Sequence, residues 1–113
     1  MSREAAPPAY AASRAALVSL TCSVALQCAR EDRGVRCNAV LPGSVDNPMS
    51  RPLSGGSKVL TREEGLATGL LHISMARLAQ PDEVAAAVLL LASNDASYIT
   101  GTTLLVDGRQ SRL

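Results

Sequence analysis

The spacing of apolar and polar residues along the chain predicts a long first helix. Leu17, Leu20 and Val24 recur at helical intervals. The segment around them, from Ala9 to Arg30, contains neither glycine nor proline, and alanine and leucine favour a helix that is mostly buried. Gly34 follows the last charged residues and is expected to provide the left-handed cap that ends this helix.

Two short β-compatible segments and a second helix follow. Val35 to Leu41 predicts a strand that stops at Pro42-Gly43, and Thr102 to Val106 predicts a second strand closed by Asp107-Gly108. Between them, Pro81 to about Ser93 predicts a helix that begins with a proline and has acidic residues in its first turn.

The long connection between the strands predicts the topology. Ser44 to Gln80 lacks clear periodicity and is expected to form a substrate-loop or lid excursion. Two strands joined through a helix form a right-handed parallel βαβ unit, so the fold class is α/β within one domain over 1–113. An isolated two-stranded sheet is marginally stable and exposes an unpaired edge. Further strands, or a partner that supplies them, are therefore expected.

Composition excludes several classes of function. The 113 residues carry 11 Lys and Arg against 10 Asp and Glu, scattered along the chain, which argues against nucleic acid as a partner. The longest apolar run, Val84 to Ala92, is about half the roughly 20 residues that a bilayer span needs, so no membrane partner is expected. Three cysteines lack zinc-ligand spacing, which predicts buried free thiols and no metal site.

Four ordered blocks resemble the short-chain dehydrogenase/reductase family, in particular its fatty-acyl reductase-like branch. The segment 10–16 resembles the Tyr-x-x-x-Lys active-site helix, with Arg14 in place of the lysine. The segment 34–43 resembles the strand that follows and its Pro-Gly turn. The segments 77–85 and 96–108 resemble the closing helix and strand, in the same order.

This resemblance implies the C-terminal portion of a Rossmann-type doubly wound parallel sheet, with two strands and flanking helices. It also implies an oxidoreductase that uses NAD or NADP and acts on a small carbonyl or alcohol substrate. No Gly-x-x-x-Gly-x-Gly turn precedes Tyr10, and the catalytic serine of the family lies further before the tyrosine than this sequence extends. The chain is therefore expected to be truncated, and weak or inactive alone.

The resemblance makes Tyr10 the catalytic acid/base and Arg14 its cationic neighbour. A free tyrosine titrates near pH 10, and a fixed cation nearby favours the phenolate form. Positions i and i+4 share one helix face, so the arginine still reaches the tyrosine. The family's lysine also binds the nicotinamide ribose, which makes both residues candidate cofactor contacts. Because a guanidinium does not give up its proton, impaired proton relay is expected.

By resemblance, the turn after the first strand lines the nicotinamide. Pro42, Gly43 and Val45 would lie along the ring, with the Val45 backbone near the carboxamide. Asn47 stands where the family often has a threonine that contacts the pyrophosphate. The ending Asp107-Gly108-Arg109 departs from the family's usual double glycine, which puts the packing of the last turn in question.

Three interpretations remain open at this stage. The chain is part of a catalytic reductase; or it is a non-catalytic relative that forms a homo-oligomer, or associates with a paralogue, through its long helix and its final helix and strand; or Met1 is a misassigned start within a longer gene. A cytoplasmic location is expected. The ending Ser111-Arg112-Leu113 resembles the peroxisomal Ser-Lys-Leu signal and makes the peroxisome the alternative.

Overall fold

The computed structural model describes residues 8–48 and 73–111. The predicted excursion is therefore described only at its two ends, and Arg112 and Leu113 lie outside the described residues. In chain order the elements are helix α1 (Pro8–Arg30), strand β1 (Ala39–Pro42), helix α2 (Pro81–Ala92), a short 3-10 helix (Asn94–Ala96) and strand β2 (Thr103–Val106).

Strands β1 and β2 pair in parallel. The Ala39 N–H donates to the Thr102 carbonyl at 2.9 Å, and the Gly43 N–H donates to the Val106 carbonyl at 3.0 Å. Both strands advance by four residues between these two bonds, so they run in the same direction. Because α2 lies between them in sequence, the predicted βαβ order and the α/β fold class are confirmed.

The chain divides into two compact units. One contains the described residues of 8–39 and 97–103, and the other contains those of 40–96 and 104–111. The expectation of a single domain over 1–113 stays a prediction.

Helix α1 ends in a Schellman motif centred on Asp32. The Arg33 N–H donates to the Cys28 carbonyl at 3.1 Å and the Asp32 N–H donates to the Ala29 carbonyl at 3.3 Å. Asp32 has φ 51°, a left-handed conformation that aspartate adopts more readily than most residues. The prediction that Gly34 caps the helix was wrong, because the two cap bonds close before the chain reaches it.

The burial predicted for α1 was also wrong. Ala25 is buried, whereas Leu17, Leu20 and Leu26 each expose more than half of their surface. Of the 23 residues of this helix, Ala25 is the buried one. By length and composition α1 is also able to cross a membrane, a criterion that a core helix of a soluble protein meets equally well.

The three cysteines are free thiols, as expected, but the predicted burial was wrong. Cys22 is exposed, and Cys28 and Cys37 are half-buried. The Cys22 thiol donates to the Gly101 carbonyl at 3.6 Å, so this contact lies within the first unit. The exposure follows from the position of two of these residues on the uncovered α1.

Strand β1 begins later than predicted because side chains replace the ladder before it. The Cys37 N–H donates to Thr100 Oγ1 at 3.1 Å. Asn38 donates from Nδ2 to the Ile99 carbonyl at 2.9 Å and accepts the Thr102 N–H on Oδ1 at 3.1 Å. These bonds fasten the segment before β1 to the loop before β2 without making it a strand.

Helix α2 agrees with its prediction within one residue. Pro81 begins the helix and its missing N–H costs no hydrogen bond there. At the other end the Ser93 N–H donates to the carbonyls of Leu89 and Leu90. Within the apolar run Val84 to Ala92, Leu91 is buried, while Val88 exposes half of its surface.

Candidate functional site

Tyr10 and Arg14 form a contact at the start of α1. The Arg14 Nε donates to the Tyr10 hydroxyl oxygen at 3.3 Å, and the guanidinium carbon lies 5.4 Å from the centre of the tyrosine ring. The predicted shared helix face is therefore confirmed. Tyr10 exposes 54% of its surface. An N–H donor aimed at a phenol oxygen stabilises that oxygen when it carries negative charge.

Gly43 occupies a place that no other residue fits. A Cβ on Gly43 would lie 2.7 Å from both Cα and Cβ of Asp107 and 2.8 Å from Oε1 of Gln110. These distances are far inside van der Waals contact, and two of the three atoms belong to or adjoin the backbone. The Pro-Gly turn predicted to line a nicotinamide is thus held against the turn that follows β2.

Gln110 fastens the same two turns from the other side. The Ser44 N–H donates to its Oε1 at 2.8 Å. In the turn itself, Asp107 accepts the Arg109 N–H on Oδ1 and the Ser111 N–H on Oδ2, both at 2.9 Å, and also accepts the Ser111 hydroxyl. The Ser111 hydroxyl and these N–H groups lower the pKa of the Asp107 carboxyl below its usual value.

Gly108 and Arg109 both adopt left-handed backbone conformations. Their φ angles are 57° and 63°. A Cβ on Gly108 would also approach Ile73 Cγ2 to 3.0 Å. Both the backbone conformation and the limited space therefore favour glycine at this position. Arg109 stands where the family pattern has its second glycine, and it takes the glycine-type conformation at the cost of backbone strain. The turn keeps the conformation that a double glycine would take, despite the departure in sequence.

The segment predicted to hold the nicotinamide carboxamide is paired with the chain just before α2. Val45 and Ala79 form an isolated parallel bridge. The Ala79 N–H donates to the Ser44 carbonyl at 3.0 Å, and the Asp46 N–H donates to the Ala79 carbonyl at 2.8 Å. Asp46 is buried, and Asn47 is half-buried beside it. The Val45 backbone is therefore fixed by its neighbours on both sides.

An ion pair stands at the start of α2. Arg77 donates from Nη1 to Glu83 Oε2 at 2.8 Å and from Nη2 to Glu83 Oε1 at 2.6 Å. Glu83 Oε2 also accepts the Gln80 N–H at 2.7 Å, and Arg77 Nη1 donates to the Leu78 carbonyl at 3.1 Å. Arg77, and then the Gln80 N–H, lower the pKa of Glu83 to about 2. The carboxylate raises the pKa of Arg77 in return.

The predicted site residues fall into two groups, and each group lies within one of the two units. Tyr10 and Arg14 belong to the first unit; the turn residues belong to the second, namely Pro42, Gly43, Val45 and Asn47. Their catalytic and binding roles stay predictions. Sequence reasoning did not find the contributions of the Ala79 backbone and the Gln110 side chain, because neither residue is part of a motif.

The residues present fit the nicotinamide end of a dinucleotide better than its phosphates. The Tyr10 hydroxyl and the Arg14 guanidinium are exposed polar groups of the kind that hold ribose hydroxyls. The start of α2, in contrast, carries Asp82 and Glu83 in its first turn, and this negative charge opposes phosphate binding.

Comparison with known proteins shows the family. Residues 2–108 match the family model described as Enoyl-(Acyl carrier protein) reductase. The chain is 46% identical over 100 residues to an uncharacterized short-chain type dehydrogenase/reductase of Sinorhizobium fredii. It is 46% identical over 99 residues to 3beta-hydroxysteroid dehydrogenase 1 of Eggerthella lenta, and 37% identical over 99 residues to the 3-oxoacyl-(acyl-carrier-protein) reductase FabG of Thermotoga maritima. The chain belongs to the short-chain dehydrogenase/reductase family, whose members here are oxidoreductases.

The likeness extends to solved structures, and it covers only part of each relative. The crystal structure of the TT0495 protein from Thermus thermophilus matches with a TM-score of 0.74 and 33% identity over 91% of this chain, which is 40% of that chain. The three curated relatives are matched over 88% of this chain but over 17%, 35% and 36% of their own lengths. The fold is therefore a partial Rossmann-type fold, as predicted.

Proposed function

We propose that this chain supplies the acid/base part of an NAD(P)-dependent oxidoreductase that acts on a small carbonyl or alcohol. The proposal is carried by the contact between Arg14 Nε and the Tyr10 hydroxyl, 3.3 Å, on an exposed helix start within the family match. Tyr10 donates a proton to the carbonyl oxygen in reduction and accepts one from the alcohol in oxidation. A bound nicotinamide would supply or take up the hydride.

Arg14 supports this chemistry incompletely. Its N–H donor on the phenol oxygen stabilises Tyr10 in the step where the proton has left. Its remaining donors are proposed to hold ribose hydroxyls. The guanidinium cannot pass the proton on to water, so turnover is limited by reprotonation of the tyrosine. Arg14→Lys is expected to raise turnover, because an ammonium group is able to relay the proton.

The proposed cofactor contacts of the second unit are those of the Pro-Gly turn. Pro42, Gly43 and the Val45 backbone would lie along the nicotinamide, and the Asn47 amide would donate toward the pyrophosphate. The bridge between Val45 and Ala79 supports this proposal, because it holds a backbone segment still enough to recognise a carboxamide. Since the 113 residues contain no glycine-rich phosphate turn before Tyr10, the chain alone is proposed to be weak or inactive.

Cofactor titration tests the proposal. Purified chain is titrated with NADH and with NADPH while nicotinamide fluorescence is recorded. Binding is expected to weaken at least about tenfold in Arg14→Ala, the loss of one charged hydrogen bond, and to stay unchanged in Arg30→Ala at the other end of the same helix. Absence of binding at millimolar cofactor would overturn the proposed function, and equal effects of the two variants would remove Arg14 from the site.

The exposed leucines of α1 support a second candidate function, a non-catalytic association module. Leu17 and Leu20, three residues apart on one helix, are each more than half exposed, as is Leu26, and contiguous exposed apolar surface marks association sites. Sedimentation is expected to show a stable homo-oligomer, or a complex with a longer paralogue, that Leu20→Glu dissolves and Ala12→Glu does not. A folded monomer that binds no paralogue would exclude this function.

A further inference from the structure

We propose that Arg77 and Glu83 are positioning residues that hold the Val45 backbone in register through Ala79. This inference rests on the proposed function in one respect, which is that the Val45 backbone recognises a nicotinamide carboxamide. The register itself is a property of the chain and is measurable without cofactor. The pair lies outside the residues assigned to acid/base chemistry.

The ion pair fixes the peptide groups on both sides of Ala79. On one side Arg77 Nη1 donates to the Leu78 carbonyl at 3.1 Å; on the other, Glu83 Oε2 accepts the Gln80 N–H at 2.7 Å. The two side chains are joined to each other by two parallel bonds of 2.8 and 2.6 Å, a geometry that resists rotation more than a single contact does.

With its flanking peptides fixed, Ala79 presents its own polar groups in one direction. Its N–H donates to the Ser44 carbonyl and its carbonyl accepts the Asp46 N–H, at 3.0 and 2.8 Å. These two bonds enclose Val45, the centre of the bridge. Breaking the ion pair frees the Leu78 and Gln80 peptides to rotate. The Ala79 N–H and carbonyl are then no longer held in the direction of Ser44 and Asp46, and the Val45 backbone becomes more mobile. The ion pair therefore acts on the Val45 backbone through the Ala79 peptide groups.

An effect of Glu83→Gln could also come from the loss of negative charge at the start of α2. The chain offers a matched control for this explanation. Asp82 lies one residue from Glu83 in the same first turn of α2, and either carboxylate stabilises the positive end of the helix. Glu83→Gln and Asp82→Asn remove one charge each from that end. The first breaks the ion pair, and the second leaves it intact. A difference between the two variants therefore reports on the pair.

Amide hydrogen exchange of the full chain measures the register. Glu83→Gln is expected to speed exchange of the Ala79 and Asp46 amides about fivefold, while Asp82→Asn changes them less than about twofold. Arg77→Lys, which keeps the charge but cannot make both parallel bonds, should also speed these amides. The Gly101 amide, bonded to the Cys37 carbonyl in the first unit, serves as the reference amide outside the second unit.

The outcomes separate the inference from the proposed function. Unchanged Ala79 and Asp46 amides in Glu83→Gln overturn the inference, and so does an equal loss of protection at Gly101, which would make the pair a general stabiliser. Where the parent chain binds NADH, the affinity should fall about fivefold in Glu83→Gln and stay unchanged in Asp82→Asn. Where the parent chain binds no NADH, the proposed function fails while the exchange result still decides the register.

Discussion

The Cα atom of Asp107 lies 2.7 Å from the point where a Cβ on Gly43 would stand, so the turn after β1 and the turn after β2 meet at a position open only to glycine. The Gly43 N–H bonded to Val106 and the Ser44 N–H bonded to Gln110 hold this approach from both sides. The turn after β2 thus restricts the conformation of the turn proposed to line the nicotinamide.

Gly43→Ala is expected to destabilise the protein by about 2 kcal/mol, because the new methyl group overpacks a contact made with backbone. Gly34→Ala is the control: its site has open space but φ of 66°, so its cost of about 1 kcal/mol comes from conformation alone. Urea unfolding measures both. Adding Gln110→Ala should not rescue Gly43→Ala, since Asp107 Cα remains; a full rescue would contradict this explanation.

Arg109→Gly is expected to stabilise the protein by about 0.5–1 kcal/mol. Arg109 has φ of 63°, and glycine adopts this conformation without the clash that a Cβ causes. Arg109→Ala removes the guanidinium but keeps the Cβ, so it should leave stability nearly unchanged. If thermal unfolding shows the same gain for both variants, the side chain and not the backbone conformation is responsible.

Acid should weaken the contact between Arg77 and Glu83. The pKa of Glu83 falls from its usual 4.5 to about 2 in the folded chain, so the folded state favours the ionised form. The stability that this provides is fully present above pH 4.5 and is lost as the pH falls toward 2. Because the Glu83 side chain is 42% exposed, we expect only about 0.5–1 kcal/mol.

The matching measurement compares the parent with Glu83→Gln in urea at several pH values. The parent should be the more stable protein near neutrality, and the two unfolding curves should converge as the pH approaches 2. The lowered pKa of Asp107 acts in the same direction but is common to both proteins, so it cancels in the difference. A difference that does not depend on pH would show that the charge of Glu83 is not what stabilises the chain.

Asn38→Ala is expected to cost about 1–2 kcal/mol, because the Ile99 carbonyl and the Thr102 N–H both lose their partner. Asn38→Asp keeps the acceptor for Thr102 but loses the donor for Ile99, so its cost should be intermediate. Denaturant unfolding of the three proteins gives the order. Equal stability of Asn38→Ala and the parent would mean that solvent replaces both bonds without loss.

The features that could be predicted from the sequence are those that depend on neighbours along the chain. Helix α2 follows from Pro81 and its acidic first turn, and the contact between Tyr10 and Arg14 follows from helical spacing alone. Four ordered motifs were enough to indicate the family, which the comparisons then showed. In each case the prediction depended on residues a few positions apart or on the order of the four motifs along the chain.

The features that could not be predicted depend on partners far away in the sequence. The start of β1 is set by Thr100 and Ile99, more than sixty residues later. The exposure of α1 depends on what covers it and not on its own apolar pattern. The bridge between Val45 and Ala79 joins the two ends of the long connection, and neither end carries a motif that predicts pairing with the other.

Isotope labelling of the tyrosines tests the central proposal most directly, because the chain contains only two. Tyr10 lies beside Arg14 at the proposed site, while Tyr98 is fully exposed in a loop with no proposed role and serves as the internal control. As NADH or NADPH is added up to millimolar concentration, the ring signals of Tyr10 should shift and saturate while those of Tyr98 stay in place. Unmoved Tyr10 signals, or equal shifts of both tyrosines, would contradict the proposal that Tyr10 and Arg14 form the nicotinamide end of a reductase site.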